Sequence, residues 1–356
     1  MKNGVSLSAS PVQKSLPDLR ALLLAVARGE SVDIPAGVDW PRLLEAAEQE
    51  GMVALLAKAA KGPAEDLRPL RVRAALVGSR AAMMLDELAR IHAAFAEAGV
   101  AMLAYKGPLL SAQLYGRPDL RAFSDLDLIV DPPDATRGEA ILRKLGYHDP
   151  ERVAPRTHRR FNSESLFVHD AKKIVVDFHW RFGNAQFPVN LTFADAWSRH
   201  SMVHGVPTLG KADLPLVVTS HAAKHLWHRL EFLAQIAALV KSGMPKPPGL
   251  HADLSWLLAR DFLGIDGPPV TVPRGYDAVR ALVDANLFSQ AGRKIDAQGK
   301  DLFLLLDSRA AVLRSLAISL FVPTHADWDS SKAPTPIHWL SRPLRLVKKY
   351  LRLSRR

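Results

Sequence analysis

Apolar residues recur at helical spacing over the first hundred positions, switch to a period of two, and then return to helical spacing. "LPDLRALLLAVARGE" reads as a helix begun after Ser15 and ended at Gly29. "DWPRLLEAAEQEGMVALLAKAAK" offers Asp39 as an N-cap, with Pro41 in the first turn where its missing N–H does no harm. "SRAAMMLDELARIHAAFAEAG" sets Met84, Leu88, Ile91 and Phe95 on one stripe and ends at Gly99.

The pattern then shortens. "VAMLAYKG" reads as a buried strand, "PLLSAQLYG" as a helix started by Pro108, and "SDLDLIV" as a second strand followed by the turn "DPPD". "DATRGEAILRKLGY" is an amphipathic helix with Asp134 as its candidate cap. "SLFVH" and "KIVVDFHW" flank the polar turn "DAKK", which predicts an antiparallel hairpin.

Helical spacing resumes in "LPLVVTSHAAKHLWHRLEFLAQIAALVKSG", read as one long helix. It continues in "DLSWLLARDFLG", "YDAVRALVDANLFS" and "DLFLLLDSRAAVLRSLAISLFV". The expected fold class is α+β: a helical N-terminal region, a small mixed-sheet core and a C-terminal helical bundle. The expected boundaries are a disordered tail at 1–15, helices at 16–99, the α/β core at 100–190, a helical domain at 191–322, and a linker with a basic helix at 323–356.

The period-two zone carries the chemistry. In "DLDLIV" (125–130), Asp125 and Asp127 project from one face of the strand, and Leu126, Leu128 and Val130 from the other. Two adjacent anions repel unless a cation or shared proton lies between them. Asp177, mid-strand in "KIVVDFHW", shares its face with Val175 and His179. A third carboxylate on a neighbouring strand completes a set able to hold divalent cations. Asp125 and Asp127 would then bridge two ions, and Asp177 would bind the one that activates an acceptor hydroxyl.

Upstream, "AYKGPLL" is a strand, a glycine turn and a helix start, a combination that favours phosphate. Lys106 is a candidate for neutralising the β- or γ-phosphate, and Gly107 permits close approach.

This order of motifs resembles the nucleotidyltransferase superfamily, the fold of DNA polymerase beta. Within it, the chain most resembles the uncharacterised bacterial nucleotidyltransferases, through "YKGPLL" (105–110), "DLRAFSDLDLIV" (119–130), "VVDFHWRF" (175–182) and "HAAKHLWHRL" (221–230). The resemblance implies Mg2+-dependent transfer, with two ions, of a nucleoside monophosphate from an NTP, releasing pyrophosphate. Asp125, Asp127 and Asp177 are the implied catalytic residues and metal ligands; Lys106, Gly107, Arg121 and Ser124 are the candidates for nucleotide and phosphate binding.

Two features depart from the superfamily pattern. Pro108 follows Gly107 where Gly or Ser is usual, removing one N–H donor, and the interval from Gly107 to Asp125 is long. These departures leave open a second reading, a nucleotide- or partner-binding module that does not turn over. No short motif names the base, ATP included, or the acceptor.

Other residues carry two readings each. His179 either contacts substrate or a carboxylate beside the metals, or is a half-buried hydrogen-bonded histidine. His221, Lys224, His225 and His228 fall on one side of the expected helix, as a polar stripe facing the cleft or as a solvated face. Zinc is disfavoured there, because Ala222 stands where the zincin motif needs Glu. Trp180 and Trp227 read as core before stacking platforms. Arg156, His158, Arg159 and Arg160 form a basic loop, solvated or substrate-binding.

Composition adds little except at the end. There is no cysteine, which excludes disulfides and thiolate metal sites. The formal net charge is +11, but residues 337–356 hold seven basic residues and no acidic one, leaving +4 for the rest. That tail, with Leu344, Val347 and Leu351 among its cations, is a weak candidate for a membrane surface or nucleic acid, or packs as a terminal helix. No apolar run approaches the roughly 20 residues of a transmembrane helix, and the start lacks a signal-peptide core. A cytoplasmic protein is expected.

Overall fold

The computed structural model describes residues 16–150, 163–289, 300–322 and 343. The 1–15 tail, Ser15, the basic loop from Arg156 to Arg160, the linker and the basic C-terminal tail lie outside the described residues.

Three helices lead: α1 (Leu16–Ala27), α2 (Trp40–Gln49) and α3 (Val53–Ala59). A two-residue strand, β1 (Val32–Asp33), follows α1 and pairs with β2 (Ala60–Lys61). Asp39 caps α2 by accepting from the Arg42 N–H at 3.2 Å, and Pro41 sits in the first turn, as the sequence predicts. Helix α4 (Arg68–Glu97) begins well before the expected start, yet buries the expected Met84, Leu88, Ile91 and Phe95.

The central sheet is mixed, in the order β3 (Met102–Ala104), β4 (Asp125–Val130), β6 (Ile174–His179) and β5 (Glu164–His169). Strands β3 and β4 are antiparallel, β4 and β6 parallel, and β5 and β6 antiparallel, the last being the predicted hairpin. Between β3 and β4 lies α5 (Gly107–Tyr115); after β4 comes a 3-10 turn (Pro132–Asp134) and α6 (Ala135–Lys144). Asp134 stands at the start of α6, but its carboxylate binds Arg137 at 2.7 Å instead of capping the helix.

Each sheet face has its own partner. Leu126, Leu128, Val130, Val176 and Phe178 pack with Met84, Leu88, Ile91 and Phe95 of α4 and Leu142 of α6. Leu103, Tyr105 and Ile129 on the other face pack with C-terminal elements. These are α7 (Phe193–Ser198), the loop residue Leu209, α8 (Leu214–Lys224), α9 (Leu230–Lys241) and α10 (Leu250–Leu263). A small hairpin, β7 (Ser201–Val203) with β8 (Val206–Thr208), lies beyond α7.

A separate, mainly helical core joins Leu19, Leu23, Leu43 and Leu56 from the start of the chain to Trp227, Leu233, Leu257 and Val283. The first helices and the last, including α11 (Tyr276–Asn286), thus share one apolar interior. After α11 come the short α12 (Lys300–Phe303) and α13 (Arg309–Phe321), which is capped by Ser308.

The long helix expected from Leu214 onward is instead two. Helix α8 ends at Lys224, and α9 starts at Leu230. Between them Leu226 and Trp227 adopt left-handed backbone, with φ of 52° and 43°. That conformation is costly for residues with large side chains. Two gains offset it: both side chains are fully buried, the Trp227 indole N–H donating to Ser255 Oγ at 3.1 Å, and Glu50 accepts from the Leu230 N–H at 2.7 Å. A continuous helix would turn Leu226 and Trp227 to different sides and forfeit that burial.

Candidate active site

The charged face of the sheet is assembled by strand register. Strand β4 runs parallel to β6 with Asp127 opposite Asp177 and Asp125 opposite Val175. Three carboxylates thus stand on one face, and the leucines between Asp125 and Val130 fill the other, as period two requires. The antiparallel register of β5 places Glu164 opposite His179.

Asp127 is the best-compensated of the three. Lys106 Nζ donates to its Oδ1 at 2.6 Å, and His179 Nε2 lies 3.3 Å from the same oxygen. Burial pushes this carboxyl up, but Lys106 and the His179 contact more than offset it and hold Asp127 well below its usual range. His179 is itself buried, and its Nδ1 lies 3.0 Å from Glu164 Oε2. Burial disfavours imidazolium, but hydrogen bonds to Asp127 and Glu164 prevail and raise its pKa. The Tyr105 ring meets His179 edge-on at 5.3 Å and Phe182 at 5.4 Å, walling this side.

Asp177 differs. Burial and then the negative charges of Asp127 and Asp125 push its carboxyl up to about 6. Asp125 is raised for the same reasons, burial first and Asp127 second, with Lys106 and Arg121 pulling the other way. The side-chain atoms of Asp127, Asp177 and His179 lie within 4.8 Å of one another, a group that can hold a metal ion. Asp125 is not part of that group.

Arg121 lies in the stretch between α5 and β4. Ser111 Oγ accepts from the Leu120 N–H at 3.1 Å and donates to the Arg117 carbonyl at 2.8 Å, and Arg80 binds the carbonyls of Phe123 and Ser124. The long interval from Gly107 to Asp125 is therefore a helix plus a pinned loop. Arg121 is 9% exposed, its Nε is buried without a hydrogen bond, and among the described residues its guanidinium has no ion-pair partner. A buried unpaired guanidinium is costly unless an anion joins it. Ser124 hydrogen-bonds Asp125 through its side chain.

Gly107 begins α5 at φ +56°, a conformation that favours glycine, and a Cβ there would stand 3.5 Å from the Asp125 carbonyl oxygen. The turn thus abuts the head of β4, with Pro108 contributing no donor. Lys106 faces Asp127 here and not an open phosphate cradle.

The histidine stripe is rearranged by the break after α8. His221, His225 and His228 gather around the Phe232 ring, with His225 stacked on it at 6.0 Å. Burial, then the nearby Lys106, pushes the His221 pKa well down, so it is neutral. His221 and Lys224 line a cavity of about 40 Å³ beside Lys106 and His179. A larger one of about 200 Å³ shares Phe187, Val189 and Ser220 with its lining. Trp180 and Trp227 are core residues, 4% and 0% exposed.

Glu164 is the residue the motif reading passed over. Its signal lay in the hairpin: a turn that pairs His169 with Ile174 also pairs Glu164 with His179. No described helix is long and apolar enough to cross a membrane.

A family model described as "uncharacterised nucleotidyltransferase" matches residues 36–254. That span takes in α2 through the first turn of α10, including every strand of the central sheet. A comparison with curated proteins gives no match.

Proposed function

The chain belongs to the uncharacterised nucleotidyltransferase family, and from that premise we propose that it transfers a nucleoside monophosphate from an NTP to a hydroxyl-bearing acceptor. One observation carries this reading: Asp125, Asp127 and Asp177 share one sheet face, and the Asp177 carboxyl has only the partial compensation of His179. Such a set is expensive to fold and is relieved by a divalent cation.

The carboxylates offer hard oxygen donors that suit a divalent cation such as Mg2+: Asp127 and Asp177 would hold one ion, and Asp125 with Asp127 a second. A bound ion would lower the pKa of the acceptor hydroxyl and neutralise phosphate charge. The chain's own groups do the rest. Arg121 supplies the fork that an anionic triphosphate lacks in water. Lys106, which pairs with Asp127 in the metal-free chain, would be free to reach the phosphates if a divalent ion took its place there. Gly107 lets the α5 start approach the phosphates, and Ser124 holds Asp125.

The acceptor oxygen attacks the α-phosphorus, and the bond to the bridging oxygen breaks. Pyrophosphate leaves with that electron pair, and the hydroxyl proton passes to Asp177. The cavity beside His179, His221 and Lys224, with the larger one that shares Ser220 with it, takes the acceptor. A cytoplasmic setting, where ATP, the other NTPs and Mg2+ abound, follows from this chemistry.

Pro108 favours the second reading, a nucleotide-binding module without turnover, because the phosphate turn lacks a donor there. Incubation with each α-phosphorus-labelled NTP and small-molecule extract separates them. Label appearing in a new product with pyrophosphate release supports transfer; NTP binding without release of pyrophosphate supports the module.

A further inference from the structure

The site contains one donor that an all-carboxylate metal centre does not need. His179 Nε2 lies 3.3 Å from Asp127 Oδ1, and with Asp127 and Asp177 it forms a group whose ligand atoms lie within 4.8 Å of one another. The ring is held from behind: its Nδ1 meets Glu164 Oε2 at 3.0 Å, and the Tyr105 edge fixes the ring plane. A carboxylate on one imidazole nitrogen is the arrangement that orients the other nitrogen toward a metal. With Nδ1–H donated to Glu164, Nε2 would turn its lone pair to an ion shared with Asp127 and Asp177, in place of the 3.3 Å contact it makes to Asp127 Oδ1 in the metal-free chain. Asp125, at the head of β4, is outside this group.

We propose that His179 is a metal ligand, so that the Asp127–Asp177 position is a mixed nitrogen–oxygen site selecting a first-row transition ion, Mn2+ in the presence of a triphosphate, over Mg2+. This rests on the nucleotidyltransferase reading and deepens it. Imidazole is a borderline donor that Mg2+ takes reluctantly, whereas two carboxylates and phosphate oxygens keep the site hard enough for Mn2+. The second position, built from Asp125, Asp127 and triphosphate oxygens, has no nitrogen and suits Mg2+. Glu164 acts as a positioning residue through His179, and with His179 it lines the smaller cavity, where the acceptor enters.

The test is metal binding to the full chain, read by calorimetry with Mn2+ and separately with Mg2+, each with and without a non-hydrolysable NTP analogue. Electron spin-echo spectroscopy of the Mn2+ complex reads nitrogen ligation directly in the wild type. The expected result is tighter Mn2+ than Mg2+ binding and a directly bound nitrogen signal. His179→Gln should abolish the nitrogen signal and weaken Mn2+ about tenfold or more, with Mg2+ changed far less. Glu164→Gln should weaken Mn2+ by about tenfold while keeping the signal.

A wild-type Mn2+ complex without nitrogen coupling overturns the proposal even if His179→Gln fails to fold. So does equal loss of both metals in a folded His179→Gln. In either case the carboxylate site and the transfer reading survive. Failure of the wild type to bind either ion with the analogue present sinks both the proposal and that reading.

Discussion

Two acids on opposite sides of the same sheet show how a carboxylate is tied into a structure and how one is left short of compensating charge. Glu87 on α4 accepts from Arg90, Lys172 and Tyr147, the last at 2.8 Å. Burial pushes Glu87 up, but these three donors hold it down at about 2. Asp177 is half-buried beside two more anions and has only the partial help of His179, so it rises to about 6. Both sites cost desolvation; one is closed by the protein's own cations and the other is not. A closed cluster joins elements, here α4 to the β5–β6 turn. An open one predicts a cation from outside.

The comparison breaks most sharply at Asp127. Asp127→Asn should reduce nucleotidyl transfer by about a thousandfold or more, roughly 4 kcal/mol of transition-state stabilisation, while the protein stays folded. Glu87→Gln should do the opposite. It leaves Arg90 and Lys172 without their anion and should lower unfolding free energy in urea by about 3 kcal/mol, with NTP binding unchanged.

The two acids should also give opposite pH signatures in the metal-free protein. Asp177 has a folded pKa of about 6, above its unfolded value, so its contribution is full below about pH 4 and is lost as pH rises through 6. The change is at most about 3 kcal/mol. Glu87 is lowered to about 2, so its contribution is present above about pH 4.5 and is lost as pH falls toward 2. Thermal unfolding of wild type, Asp177→Asn and Glu87→Gln across that range checks both signs.

Smaller effects sharpen the ligand side. Arg121→Met should weaken NTP binding about 10- to 100-fold, the worth of one or two charge-assisted hydrogen bonds, without weakening metal binding in the absence of NTP. Gly107→Ala, forced to φ +56°, should cost about 1 kcal/mol of stability, read as a drop of a few degrees in Tm.

Much of this was legible in the sequence, for identifiable reasons. Period two placed Asp125 and Asp127 on one face and Leu126 and Leu128 on the other, because a sheet between two layers leaves no alternative. The α4 stripe and the Asp39 cap follow equally local rules. Helical periodicity failed where tertiary burial overrode it. Leu226 and Trp227 fit an uninterrupted helix by spacing, yet the core takes both by bending the chain, with Glu50 far away in sequence supplying the new helix start.

Glu164 escaped because its role exists only through cross-strand register, and a motif reading follows one strand at a time. Lys106 was legible as a cation near the site, but not as the partner of Asp127. That pairing joins two positions 21 residues apart, across the α5 helix and the loop before β4.

The most direct test of the open-acid account is calorimetric titration of each NTP into wild type, Asp177→Asn and Glu87→Gln, with and without divalent metal. The account predicts metal-dependent NTP binding in wild type and Glu87→Gln, and its loss in Asp177→Asn. Binding that ignores the metal, or survives unchanged in Asp177→Asn, would contradict it.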